Sequence, residues 1–412
     1  MVPAPGAYNT HTCIDKDLHR HKRRVMGQAF SERALRAFEP KILEEANIFL
    51  HQLHQNVGSD GWSQPLNMSQ IVRHMTIDVL GEFAFGRSFE LQTQEKNRFL
   101  LNAINAASRV SGMYAQYPRL KSSGLDRIIK QRGAWTREKF GNLMLELVKQ
   151  RISEKEDARH DLFSFIINAK DPETGKGFEL NEIWAESRLL IIAGSDTTST
   201  AICATLFYLS RYPDCKSKLT EEIESNFTSA EEIRTGPQLS SCHYLRACID
   251  EAMRMSPPVG TALWREVCKS GLTIDGTYIP PGVDVGSSLY SIHHLESIFP
   301  DSWTYNPERW LGTGDSSEEN ELASQRKAFN PFSLGTRKCI APTMAYTEAS
   351  IALARMLWLF DFRRPDGELD RIGEGVPGDV NGRHRPKEFQ LREHLTSTHE
   401  GPYLKFRCRI RI

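Results

Sequence analysis

The sequence predicts a mainly α protein with small β-sheets, and three observations lead there. Apolar residues recur at helical spacing over most of the chain up to about Met255. Strand-like alternation is confined to Thr261–Val285 and to the closing GPYLKFRCRIRI. No internal repeat and no long linker separates these regions, so residues 1–412 read as one domain.

Helical periodicity runs from about Asp17 to Asn56, with breaks expected near Ser31 and Pro40. A second helical block, Met68 to Phe85, stops at Gly86, since glycine readily adopts the left-handed conformation that ends a helix. Further helical patterns cover roughly Glu95–Ser111, Leu125–Glu154, Asp161–Ala169 and Leu180–Ser210. Shorter helices follow Pro213, and one over Ser241–Met255 stops before Pro257-Pro258, because the residue before a proline is pushed out of the helical region. Turn signals at Asp275-Gly276 and Pro280-Pro281-Gly282 divide the strand-like region. Pro300 to Gly335, including the acidic and polar run GTGDSSEENE, reads as loop-rich, and a last helix spans about Pro342 to Phe360.

Composition narrows the function classes. The 412 residues are 40% hydrophobic and 25% charged, enough apolar mass for a sizeable core. With 52 basic and 52 acidic residues, no nucleic-acid partner is expected. The eight cysteines are scattered without a CxxC pair, which argues against zinc and iron–sulfur sites and fits a reducing, cytosol-facing chain. The polar, Pro/Gly-containing N-terminus is not a signal peptide. The most apolar long stretch, around Leu189 to Leu209, is interrupted by Asp196 and several Ser and Thr residues, so it reads as a buried helix and not a transmembrane segment.

The most informative segment is FSLGTRKCIAPTMAYTE, where Phe332, Gly335, Arg337 and Cys339 are spaced as a haem-binding loop needs. A thiolate on haem iron donates electron density to the metal and favours O–O cleavage. Cys339 precedes a helix, whose N-terminal N–H groups favour a thiolate. Gly335 permits a positive φ and a close backbone approach to a porphyrin. Arg337 is a charge-assisted donor for a propionate, and Phe332 would pack beside the sulfur. Taken alone, a cysteine in a Gly-containing loop is as readily a small buried hydrophobe.

Three distant segments bear on the same site. AGSDTT, Ala193–Thr198, puts Gly and a polar run inside a long helix, where hydroxyls bond back to upstream carbonyls. It is either a polar helix face or a local opening over a haem, with Thr197 and Asp196 delivering protons in oxygen activation. EAMR places Glu251 and Arg254 at i,i+3, ordinarily a helix ion pair of little consequence, but NPERW adds Arg309 and makes a structural bridge. HRHKRR puts His19 and Arg23 on one helical face, either a solvated basic surface or a grip for an anionic group, with Arg265 as a further cation.

These four segments in this order resemble the cytochrome P-450 family of haem-thiolate monooxygenases, from about His19 to the C-terminus. FSLGTRKC is similar to its FxxGxRxC, AGSDTT to its oxygen-activation motif, EAMR to ExxR and NPERW to its PERF/PERW stretch; MTIDVLGEFAFGRSFE and EGPYLKF resemble its fungal members. The resemblance implies the family fold and haem b (iron protoporphyrin IX), with Cys339 as proximal ligand. It implies propionate contacts from His19, Arg23, Arg265 and Arg337, and oxygen activation by Thr197 and Asp196. Glu251, Arg254 and Arg309 would form a structural triad. Substrate contacts fall around Leu189–Ala193, Val259–Leu263, Thr398–Gly401 and between about Ala103 and Leu125. Further implications are O2, an apolar small-molecule substrate, fungal secondary-metabolite chemistry, and an NADPH-dependent flavin reductase docking near Arg20–Arg24. An endoplasmic reticulum association facing the cytosol, with peripheral membrane contact, is also implied.

Two departures stand out. Ala341 replaces the family's usual glycine two residues after the cysteine, and Pro342 follows, a residue suited to a first helical turn. The chain also begins almost at the propionate-binding helix, so the anchor, first sheet, two helices and covering loop are expected to be missing and the fold N-terminally truncated. The alternative function is then a haem-binding but catalytically impaired family member, and a non-haem helical interaction protein is a more distant reading.

Overall fold

The structure, a computed structural model, describes residues 7–121, 123–125, 134–153, 165–166, 169–312 and 316–409. Helix α1 (Lys16–Ala29) starts where the Asp15 carboxylate accepts the Asp17 and Leu18 N–H groups at 3.0 and 2.8 Å. Ser31 caps α2 (Glu32–Gln55) through Ala34 N–H at 3.3 Å, placing the predicted break where it was expected. The second expected break does not occur: α2 continues through Pro40. Pro40 is exposed, so the carbonyl it leaves unpaired one turn back faces water, which removes most of the penalty for a proline inside a helix.

Helix α3 (Met68–Phe85) ends on Gly86 in the left-handed conformation, φ 66°, as the glycine predicts. Next come α4 (Phe99–Gln116) and α5 (Ala134–Ser153). Parts of the expected Leu125–Glu154 helix and most of Asp161–Ala169 lie outside the described residues. The axis of the molecule is α6 (Leu180–Arg211), 32 residues long, opened by a reciprocal capping box between Glu179 and Glu182. Most of α6 is buried, and α3 packs along it more extensively than any other pair of elements pack together. Gly194 permits that approach, because a Cβ there would sit 2.9 Å from Leu80 Cδ2. It is the one described helix long and apolar enough to cross a membrane, and it forms the interior of this fold.

Around α6 lie α7 (Pro213–Asn226), α8 (His243–Met255), α9 (Ser316–Ala328) and α10 (Pro342–Leu359). Helix α9 corrects the loop-rich reading of 300–335. SSEENELASQRKA places acids near its start and Arg326 and Lys327 in its last turn, complementing the helix dipole despite little apolar periodicity.

The strands are short. β1 (Leu66–Asn67), β7 (Tyr403–Cys408) and β6 (Phe360–Arg363) form one antiparallel sheet in that order, with Leu66 opposite Leu404 and Phe362 opposite Phe406. β2 (Arg265–Glu266) pairs with β5 (Asp284–Val285), and β3 (Leu272–Ile274) with β4 (Thr277–Ile279) around Asp275-Gly276. One contiguous apolar core runs from Met26 to Phe406 through α2, α3, α6, α8 and α10. A small satellite of Ala247, Phe299 and Trp310 lies against it. Mainly α with small sheets, as predicted, is the observed class.

Candidate functional site

The loop before α10 is shaped by two left-handed residues, Ser333 (φ 61°) and Gly335 (φ 77°). Gly335 was legible from its type; Ser333 was not, since serine carries no such signature. The loop closes on itself, with Cys339 N–H donating to Phe332 O at 2.8 Å and Lys338 N–H to Gly335 O at 3.2 Å. Ala341 N–H donates to Cys339 Sγ at 3.4 Å, and Pro342 opens α10 in the position expected of it. Cys339 is accessible, yet the surrounding protein raises its thiol pKa above the ordinary value by desolvation. The Ala341 N–H and the Arg23 guanidinium work in the opposite direction.

Basic side chains from α1 and β2 gather beside this loop, which supplies Arg337 itself. His19 and Arg23 come from α1, and the charge of Arg23 is felt at Cys339. Burial and then the neighbouring Arg337 and Arg23 lower the His19 pKa, so its ring is neutral near pH 7. Arg337 donates to Cys13 O at 2.8 Å and Ile14 O at 3.2 Å, pinning the N-terminal segment to the cysteine loop. Arg265 turns along its own strand onto Trp264 O (2.9 Å) and Leu263 O (3.3 Å). Among the described residues, Arg23, Arg265 and Arg337 have no carboxylate partner. Sequence reading missed His11, whose pKa is lowered by burial and by the charges of Arg265 and Arg337. Nothing in an isolated polar N-terminal stretch signals that position.

The rest of HRHKRR behaves differently, and the expected basic docking face at Arg20–Arg24 does not form as a unit. Lys22 is buried against Glu182 at 2.5 Å, and Arg24 pairs with Asp171 at 2.9 Å. Arg20 stays on the surface beside Asp17. Helix geometry turns His19 and Lys22, three residues apart, inward, and the acids Glu182 and Asp171 take up the charges of Lys22 and Arg24.

On α6, Thr197 Oγ1 donates to Ala193 O at 2.8 Å, on a partly accessible side of the helix. The helix stays continuous, so the hydroxyl bonds back to the upstream carbonyl without opening a break. Asp196 faces elsewhere. It is buried, 2.6 Å from Arg73 Nη2, and accepts the Thr396 hydroxyl at 3.1 Å. Burial raises its pKa and the Arg73 charge opposes that rise. The two residues thus sit next to each other in the chain and serve different faces. A cavity of about 580 Å³ on the Asp196 side is lined by Asn105, Arg109, Thr398, His399 and Glu400. It brings together two of the four segments expected to contact substrate; Leu189–Ala193 and Val259–Leu263 are not in its lining.

Glu251 forms the predicted triad and more. Its carboxylate accepts Arg254 Nε and Nη2, both at 2.9 Å, and Arg309 Nε at 3.2 Å. Trp310 Nε1 at 3.0 Å and Asn306 N–H at 3.1 Å complete it, and Arg254 ties back to His293 O at 2.8 Å. The group is buried and holds the chain leading to the cysteine loop.

A long central helix, the bridged Glu251–Arg254 pair of α8 and a thiol loop beside arginines that have no carboxylate partner among the described residues fit a haem-binding protein. Comparison makes the assignment specific. The Cytochrome P-450 family profile matches residues 11–381. The chain is 38% identical to the cytochrome P-450 monooxygenase AKT7 of Alternaria alternata, over 96% of this chain and 77% of that protein. It is 36% identical to a cytochrome P-450 monooxygenase of Gibberella zeae, over 98% of this chain and 92% of that one. The crystal structure of the cytochrome P-450DA haem domain superposes with a TM-score of 0.78 at 20% identity, over 98% of this chain and 80% of the other. This chain belongs to the cytochrome P-450 family. It is a haem monooxygenase, an oxidoreductase that incorporates molecular oxygen into a small molecule with electrons from a redox partner.

Proposed function

We propose that this enzyme binds haem b through the Cys339 thiolate and oxidises an apolar small molecule in fungal secondary metabolism. The observation that carries the proposal is the gathering of Arg23, Arg265 and Arg337, none with a carboxylate partner among the described residues, at the loop that presents Cys339. Unpaired cations around an accessible thiol suit a ligand with two carboxylates and a metal. Arg23, Arg337, Arg265 and His19 hold the propionates, Gly335 gives the backbone its close approach, and Phe332 shields the sulfur. Bound there, the haem supplies oxygen activation under thiolate donation.

The chain's own residues do the rest. Thr197 and Asp196 move protons in this reading, Thr197 from the accessible side of α6 and Asp196 from the Arg73 side. The substrate class in this proposal is supported by the kind of relatives the chain has, cytochrome P-450 monooxygenases of the fungi Alternaria alternata, Gibberella fujikuroi and Penicillium oxalicum. The electron donor in this proposal is an NADPH-dependent flavin reductase, and the setting is the cytosolic face of the endoplasmic reticulum. Reduced, carbon monoxide-treated protein should show the red-shifted Soret band of thiolate ligation, and Cys339→Ala should lose it. Folded, haem-supplemented protein without that band would refute the ligand assignment.

A further inference from the structure

Beside the cysteine loop, four side chains form a continuous brace. Tyr346 of α10 donates its hydroxyl to Asp250 Oδ1 of α8 at 2.6 Å. Arg246, one turn earlier on α8, donates to Asp250 Oδ2 at 2.8 Å and lays its guanidinium 3.4 Å over the Tyr346 ring. The other neighbour of that ring is Phe332, with centroids 5.2 Å apart. Phe332 in turn provides the carbonyl that accepts Cys339 N–H at 2.8 Å.

Resting on the haem-thiolate reading above, we propose that Tyr346 is a positioning residue for Cys339, acting through Phe332, with Asp250 and Arg246 fixing its ring. The physical argument is one of freedom removed at each link. A tyrosine ring held only by a tilted contact with Phe332 would still slide; a hydroxyl bond to a buried carboxylate fixes its height, and the guanidinium lies over the ring. A fixed ring leaves Phe332 one seat, and the Phe332 carbonyl then sets where Cys339 N–H, and so the sulfur, points. Asp250 is buried while Arg246 is exposed, so the brace runs from the surface to the ligand loop. It also lines a cleft of about 760 Å³ with His243, Trp310, Phe329 and Pro342, and Tyr346 is partly buried there. The hydroxyl bond adds a fixed anchor point to the ring's packing on Phe332 and Arg246.

The test uses the full-length, haem-loaded protein and reads the lifetime of the ferrous carbon monoxide thiolate band in mild urea beside the global unfolding midpoint. Tyr346→Phe keeps the ring and removes the bond, and should shorten that lifetime about fivefold or more at an unfolding midpoint close to the parent's. Asp250→Asn, which still accepts the hydroxyl but loses the charge pairing with Arg246, should give a smaller loss. Lifetimes of both variants within a factor of about two of the parent, or losses that simply follow the unfolding midpoint, overturn the positioning role. If the parent itself shows no thiolate band, the haem-ligand reading fails instead, so the two failures are distinguishable.

Discussion

Arg73 of α3 and Asp196 of α6 are joined across the most extensive helix interface in the molecule, with Nη2 and Oδ1 2.6 Å apart and both side chains largely removed from solvent. The pair decides which way Asp196 faces: toward α3 and Thr396, not along the accessible side that carries Thr197. Removing one partner of a buried pair leaves an uncompensated charge.

Arg73→Gln should therefore destabilise the protein by about 3 kcal/mol. Urea unfolding near neutral pH measures it. Asp196→Asn added to that variant should recover part of the loss, since no charge is then left buried. The sign of the pH dependence follows from burial acting on Asp196 without the opposing Arg73 charge in the single variant. Its folded pKa rises further above the unfolded value, so the stability loss grows as pH increases and fades in acid. Equal losses in the single and double variants would contradict this account.

Glu251 gives a second expectation of opposite pH sign. Although buried, its pKa is held below the ordinary value by Arg254 and Arg309 against the opposing effect of desolvation. A depressed folded pKa means stability that is present above the unfolded pKa and lost as pH falls through the folded one. Glu251→Gln keeps the shape but strands two arginine charges, at a cost of about 3–5 kcal/mol. Low soluble yield and a lowered unfolding midpoint are the readouts, and an unchanged midpoint would show the bridge to be dispensable.

A third group acts in the alkaline direction. Burial raises Glu45 to about 7 and Asp78 to about 6, and the Asp78 charge contributes to the Glu45 rise. Glu186, buried beside Lys22 and bonded by Thr10, is also raised to about 7. Groups with raised folded pKa values contribute stability that is complete below the unfolded pKa and is lost as pH rises through the folded one. Stability should fall between about pH 4 and pH 7, and Glu45→Gln should flatten part of that slope. Unfolding midpoints measured across this range, identical in slope for parent and variant, would rule Glu45 out as a contributor.

Much of this was legible in the sequence because its signals are local. Ser31, Gly86 and Pro342 mark helix ends through backbone chemistry that needs no tertiary context. The i,i+3 spacing of Glu251 and Arg254 fixes their meeting on one helical face. Other features depend on what lies opposite. Pro40 was misjudged because its exposure, set by packing, decides whether a helix tolerates it. Lys22 and Arg24 were grouped with Arg23 because the string of basic residues does not say which of them meets Glu182 or Asp171. Gly194 stands in the sequence only as part of a polar motif inside a helix, whereas Leu80, more than a hundred positions away, requires the missing side chain. Ser333 and Trp310 escaped for the same reason, as neither residue type announces a left-handed turn or a carboxylate partner.

Arg337 offers the last expectation, since its guanidinium does two separable things. It clamps the N-terminal segment by donating to the Cys13 and Ile14 carbonyls, and its charge adds to the cation cluster with Arg23 and Arg265. A guanidinium can make both bonds from its planar fork while keeping its charge; an ammonium keeps the charge but not the fork. Arg337→Lys should therefore loosen residues 7–14 while retaining most of the anion affinity, and Arg337→Ala should lose both. Limited proteolysis of the haem-free protein reports the clamp, with cleavage near Cys13 expected to quicken in both variants. Haem transfer to an acceptor protein reports the charge, with loss from Arg337→Ala faster by about tenfold and from Arg337→Lys by much less. Equal haem loss from the two variants would mean that the clamp, and not the charge, is what Arg337 contributes to retention.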